Sequence, residues 1–245
     1  HPSLDPIQCT IHASSKPVTM SVSNALSNPP RLSIIIPTLN EAAGIDAQLT
    51  ALLGLWVCGV EIIVVDGGSQ DDTVAIAKHH ASRVLSSEPG RARQMNLGAR
   101  ASRGDRLLFL HADTKLPRRA DRLIAKALSG SRYWGRFDIR LSGEQSMLGV
   151  IAFCMNWRSR LTGIATGDQA LFMTRAAFEA VDGYPDQPLM EDIEISKRLK
   201  HLSKPACLRA RVVSSGRRWE NNGLWATMLL MWRLRYRYWR GEDCQ

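Results

Sequence analysis

The 245 residues are 44% hydrophobic and 22% charged, which excludes a fibrous or wholly disordered chain and leaves room for one α/β domain with a sizeable core. A net charge of +9 and an isoelectric point near 9.7 favour anionic partners (nucleotides, nucleic acid or an acidic membrane surface) without choosing among them. Five cysteines with no CxxC pair exclude a disulfide framework or a paired-cysteine zinc site, and fit a reducing, cytoplasmic compartment.

Residues 1–30 are rich in Ser, Pro and Asn, show no hydrophobic period, and read as a disordered leader. The chain opens on His1, and Met20 stands where a natural start would be, so residues 1–19 are expected to be vector-derived or mis-assigned. No basic start followed by an apolar run marks a secretory leader, and no run reaches the ~20 apolar residues of a membrane span.

From residue 31 a strand–helix rhythm sets in. Residues 32–36 read as a buried strand stopped by Pro37, and Ile45, Leu49, Leu52 and Leu53 recur at helical spacing. A second strand at 61–65 is rich in β-branched residues and leads into the turn Asp66-Gly67-Gly68-Ser69. A helix at 72–78, a short strand at 83–85, a helix at 91–100 and a strand at 106–110 follow. Further on come a strand at 133–141, a helix at 146–161, a strand at 169–174 and a short helix at 176–181. The turn Asp182-Gly183-Tyr184-Pro185 precedes a helix at 192–201 and a strand at 207–213. Residues 224–240 read as a last helix dense in Trp, Tyr and Arg.

Such alternation implies a mostly parallel central sheet with helices on both faces, a single Rossmann-like domain over residues 31–222, followed by a basic aromatic tail at 223–245. Ligands of these sheets bind beyond the carboxyl ends of the strands. Asn40, Glu41, Asp66, Gly67 and Asp113 all fall there.

Each of these segments has a plain structural reading beside a chemical one. Pro37-Thr38-Leu39-Asn40-Glu41 is a strand end with Asn40 as a helix cap, or a backbone frame for a nucleobase with Glu41 near the ribose. In the Asp66 turn, two glycines allow close approach of a ligand, and Asp71 or Asp72 can cap the next helix. The acidic side chains there argue against a phosphate cradle and for base recognition. Arg91, Arg93, Gln94 and Asn96 follow Pro89-Gly90 at a helix start, a place that suits phosphate. Asp113 in His111-Ala112-Asp113 can hold magnesium or manganese against a diphosphate. Glu191-Asp192 opens a helix, where acidic residues suit the dipole and where Asp192 could serve as a general base.

Taken together and in this order, these segments resemble the family 2 glycosyltransferases of the GT-A fold, from about residue 32 to residue 219. The resemblance implies that Pro37, Thr38, Asn40, Glu41, Asp66, Gly67, Arg91, Asn96 and Ala112 lie on the nucleotide-sugar donor side. It implies that Asp113 and His111 occupy the place of the DxD metal motif, with His111 in place of its first acid. Gly167, Asp168 and Glu191 look like acceptor-side residues, and Asp192 takes the position of the family's base. The implied reaction is an inverting, metal-assisted transfer, with UDP the family's usual nucleotide. Arg217-Arg218-Trp219 is similar to an element of processive members, but the signature is incomplete and polymer synthesis is not expected. The HAD form of the metal motif and the short length also resemble the arsenosugar-biosynthesis or radical-SAM-associated subgroup.

Two rivals come from other classes. A sugar-phosphate nucleotidyltransferase would need a Gly-rich, basic loop after the first strand, which Pro37–Glu41 lacks. A non-catalytic binder of nucleic acid or anionic membrane draws on the net charge and on residues 232–240, where Arg alternates with Trp and Tyr. That run also suits a helix packing its aromatics on the sheet. Peripheral contact with the inner membrane face is compatible with transfer to a lipid acceptor, and nucleic acid is the less expected partner.

Overall fold

Two apolar layers are written into the strands by period-two alternation. The computed structural model describes residues 30–216 except 144 and 146, together with residues 233 and 240. The leader at 1–29, the Arg-Arg-Trp element and nearly all of the C-terminal helix expected at 224–240 lie outside the described residues. Strand β1 (Ser33–Thr38) runs parallel to β2 (Glu61–Asp66), and β2 to β3 (Arg83–Ser86). Ile34, Ile36, Ile62 and Val64 face one core, and Ile35, Ile63 and Val65 the other. The first core is closed by α1 (Ala42–Val57), α2 (Thr73–His80), α4 (Ala120–Ala127) and α5 (Met147–Thr162). The second is closed by α3 (Arg91–Ala101), α6 (Arg175–Ala180) and α7 (Glu191–Leu202).

The remaining strands are β4 (Arg106–Phe109), β5 (Thr114–Lys115), β6 (Trp134–Ser142), β7 (Phe172–Thr174) and β8 (Ala206–Ser215). Eight strands form one sheet in the order β3-β2-β1-β4-β7-β6-β8-β5. Strand β4 is parallel to β1, and β6 to β8, whereas β7 runs antiparallel to both β4 and β6. The carboxyl ends of β2, β1 and β4 therefore share one edge, as expected of a mostly parallel sheet.

Several boundaries differ from the sequence reading. Pro37 does not stop β1: the strand continues to Thr38, which pairs with Asp66. The carbonyl of Ile35 accepts from Leu110 N and that of Thr38 from Gly67 N, so Pro37 turns its nitrogen to the side that β4 has already left. The strand expected at 169–174 is only Phe172–Thr174, because Gly167–Gln169 forms a 3-10 turn. The short β5 carries no strong sequence signal and was not anticipated, and α4 was overlooked although Ala120, Leu123, Ile124, Ala127 and Leu128 recur at helical spacing.

Close packing fixes the middle of the sheet. A Cβ on Gly135 in β6 would lie against the Ala206 carbonyl oxygen and the Phe172 ring. Gly135→Ala is expected to destabilise by about 1–3 kcal/mol, the usual range for overpacking. Gly130→Ala, where nothing lies within 4 Å, is the reference. Urea unfolding of the two variants checks the contrast.

Candidate active site

The loops after β1 and β2 are tied to each other. Asn40, in the left-handed region at φ 53°, accepts from Gln70 N through Oδ1 at 2.8 Å, and its own N–H donates to Ser69 Oγ at 2.8 Å. Asn40 is thus not the α1 cap that the sequence suggests. The helix start is satisfied from across the loop: Glu41 N donates to Thr73 Oγ1 at 2.8 Å and Ala42 N to Asp71 Oδ2 at 3.1 Å. Asp71 also accepts from Thr73 N at 3.0 Å. Its hydrogen bond with the Thr73 hydroxyl holds the Asp71 carboxyl below the usual range.

Asp66 is buried at the end of β2. Its Oδ2 accepts from Gly68 N and Ser69 N, both at 2.9 Å, and Oδ1 from the Ser69 hydroxyl. The carboxylate therefore shapes its own turn, with Gly68 at φ 95° making that turn possible. Gln94 of α3, grouped in the sequence reading with phosphate-suited residues, is buried instead. Its Nε2 donates at 2.8 Å to the carbonyls of Thr38 and Val65, clasping the ends of β1 and β2. Gly67 approaches so closely that a Cβ there would meet the Gln94 amide at 3.0 Å.

Helix α3 also reaches the other half of the site. Asn96, expected on the donor side, spends its amide on backbone: Nδ2 donates to Tyr184 O at 2.7 Å and Oδ1 accepts from Tyr184 N at 2.9 Å. It pins the Asp182–Pro185 turn rather than presenting a free amide. Arg93 donates through Nε to both Asp186 oxygens at 3.0 Å and through Nη1 to Glu88 at 2.8 Å. Arg91 lies 3.5 Å from Glu191, with 45% of its side chain exposed.

The second centre gathers around the 3-10 turn. Gly167 N donates to Asp192 Oδ2 at 2.9 Å, and Asp192 Oδ1 accepts from Ile193 N at 2.8 Å. Asp168 Oδ1 is 3.0 Å from His111 Nδ1, just past the end of β4. His111 Nε2 is buried with no hydrogen-bond partner and abuts Gly167, where a Cβ would come within 2.5 Å of it. Burial raises the Asp192 carboxyl above its ordinary range, and the Asp168 charge adds to this against the two backbone donors and Arg91. Burial raises Glu191 as well, with the Asp192 charge adding to it. Tyr184 is fully buried beneath the acidic pair, packs edge-on to Phe109, and has its hydroxyl pushed well upward by burial.

As for a metal, no group of three His, Cys, Asp or Glu side chains capable of holding an ion exists among the described residues. His111 turns one nitrogen to Asp168 and buries the other under Gly167, so its ring braces the turn. Among the described residues, Asp113 makes one long bond, from Thr114 Oγ1 at 3.3 Å. A hard cation held by one carboxylate and completed by a ligand's phosphate oxygens fits that donor set.

Residues 33–175 match the family model of glycosyl transferase family 2. The chain belongs to this family. The glycosyltransferase is 31% identical over 203 residues to an uncharacterized glycosyltransferase of Mycobacterium tuberculosis, covering 75% of this chain and 74% of that one. Other curated mycobacterial relatives match at 38% over 94 residues, and the chain spans only 37% of their length. Among solved structures, it resembles the Pyrobaculum calidifontis mannosyltransferase in complex with GDP-Man and Mn2+, with a TM-score of 0.58 and 21% identity, covering 77% of this chain and 57% of that one. It also resembles glucosyl-3-phosphoglycerate synthase of M. tuberculosis in complex with Mn2+, UDP and its product, with a TM-score of 0.57 and 20% identity, covering 84% and 77%. These likenesses establish the GT-A fold. No helix among the described residues is long and apolar enough to cross a membrane.

Several residues escaped the sequence reading. The links from Ser69, Asp71 and Thr73 across the loops need the parallel pairing of β1 and β2, which no local pattern reveals. Gln169 and Asn156 are also joined, through Gln169 Nε2 and Asn156 Oδ1 at 3.3 Å, which connects α5 to the turn under Asp192. A polar residue on the inward face of an otherwise apolar helix was the available signal for Asn156.

Proposed function

We propose that the glycosyltransferase moves a sugar from a nucleoside diphosphate sugar, UDP-linked in our reading, to an acceptor hydroxyl in one inverting displacement assisted by magnesium or manganese. The observation that carries this is the Asp192 carboxylate, partly buried, held by Gly167 N–H and adjoining the His111–Asp168 pair at the end of β4. In this reading Pro37, Thr38, Asn40, Glu41, Asp66 and Gly67 form the rim against which the nucleoside lies. Ala112 lines its approach to Asp113, and Arg91 adds a half-exposed positive charge for the diphosphate. Asp113 would hold the cation, which when bound supplies positive charge at the departing diphosphate. Asp192 takes the proton of the acceptor hydroxyl, while Gly167, Asp168 and Glu191 shape the acceptor side. His111 and Asn96 position the two turns that flank the base. The cysteine usage supports a reducing, cytoplasmic setting.

Melting curves with UDP-glucose, UDP-N-acetylglucosamine and GDP-mannose, each with and without manganese, test the donor and metal parts together. A donor that binds the folded state raises Tm, and the metal is expected to enlarge that rise. No shift with any nucleotide sugar would remove the reading.

The base role has a pH signature. Asp192 must be ionised to accept a proton, and its carboxyl is raised. The acid limb of kcat is therefore expected above the range of an ordinary aspartate, with activity falling as pH drops through it. A pH–rate profile checks this, and a limb at the ordinary aspartate position would count against Asp192.

A further inference from the structure

Helix α5 turns toward solvent a face that is unusual for a water-exposed helix. Met147, Val150, Phe153, Trp157 and Leu161 are 41%, 51%, 66%, 55% and 70% exposed. They follow one another at steps of three and four, so they line a single stripe. The exposed side of α5 carries no charged residue, and the whole helix has no acidic one. Arg158 and Arg160 are its only charges, and Arg160 is turned to Asp138 at 2.7 Å. At the carboxyl end of α5, Lys200 Nζ donates to Thr162 O at 2.6 Å.

We propose that this outer face of α5 is a docking surface for an anionic lipid bilayer, with the helix lying flat in the headgroup region. Length argues against a second copy of the chain. The stripe runs about 21 Å at ~1.5 Å per residue and is about one helix wide. That falls short of the ~800 Å² per partner that a stable protein–protein contact buries. An interfacial helix asks only for a one-sided apolar face with aromatic anchors, helped by positive charge. Phe153 and Trp157 supply the anchors, and the net charge of +9 gives the chain as a whole the sign that an anionic surface attracts. Gly216 N donates to Ser142 O at 2.8 Å, and a Cβ on Gly216 would meet Leu148 at 3.1 Å, so Gly216, just after β8, lies beside the start of α5. The sequence that follows includes the Trp232–Arg240 run, in which arginines alternate with aromatics.

The inner face of the same helix, through Asn156 and Gln169, leads to the turn that holds Asp192. The docking itself does not rest on the proposed function.

The test is co-sedimentation of the full chain with vesicles of phosphatidylcholine alone or mixed with phosphatidylglycerol, compared with Phe153→Ser and Trp157→Ser. Binding is expected only to the mixed vesicles, and each substitution is expected to lower the partition coefficient about tenfold. Both side chains are exposed, and unchanged melting temperatures with and without UDP-sugar show that fold and donor site are kept. Failure of the wild type to bind mixed vesicles overturns the proposal, as does equal binding by the variants, which would assign the contact to residues 217–245. A wild-type dimer in light scattering that both substitutions dissociate overturns it as well. Donor binding is read separately, so loss of docking and loss of the transferase reading are distinguishable.

Discussion

Asp192→Asn is expected to keep donor binding and to lose transfer by about 10²–10⁴-fold, the usual contribution of a positioned base. Asparagine is nearly isosteric and its one oxygen can still accept from Gly167 N while the bond from Ile193 N is given up, so the turn should hold its shape. What disappears is the capacity to take a proton. Calorimetric titration with the donor that raises Tm, beside single-turnover rates, separates the two effects. The acid limb of the pH–rate profile should also vanish in the variant. Unchanged turnover would remove Asp192 from its role and leave Glu191 as the acidic group to examine.

Gly167→Ala is the second large effect. Its Cβ would come within 2.5 Å of His111 Nε2 and 2.8 Å of the adjoining ring carbon. The ring has little room to retreat, because its other nitrogen is fixed to Asp168 at 3.0 Å. Either the ring or the turn must move, and both lead to Asp192 through the Gly167 N–H. We expect kcat to fall about 10²-fold, as for a small misplacement of a reacting group, with donor affinity little changed. Stability should fall by about 1–3 kcal/mol through overpacking. Gly54→Ala, exposed in α1 with nothing within 4 Å, serves as reference and should be neutral or stabilising by about 0.5–1 kcal/mol. A Gly167→Ala enzyme with wild-type kcat would detach the His111–Gly167 contact from catalysis.

Much of the amino-terminal half was legible because its signals are local. Runs such as Ile34–Ile36 and Ile62–Val65 bury both faces, and Asp66-Gly67-Gly68 announces its turn. The acidic pair at 191–192 was legible for the same reason, since it opens α7. The structure added what depends on partners far apart in the chain. Asn96 reads as a polar residue on a helix until Tyr184, 88 positions later, occupies both ends of its amide. Gln94 reads the same way until the β1 and β2 carbonyls converge on it. His111 stands in the place of a metal-motif acid, and only the fold shows its ring set between Gly167 and Asp168. Asn96 and Gln94, which could have met a ligand, hold backbone instead, and only the tertiary fold decides between the two. The 3-10 turn was missed because its last residue, Gln169, precedes an apolar run and was read as the start of that strand.

The bonds that lace the loop after β1 to the loop after β2 bear on how a nucleotide would be received. Their wandering is quenched when the chain folds, so a visitor meets a mould already set. On the proposed reading, recognition on that wall is governed by fit, and a misfitting base is expected to be rejected instead of being accommodated by rearrangement. Adaptability, where the enzyme needs it, has to come from the opposite wall.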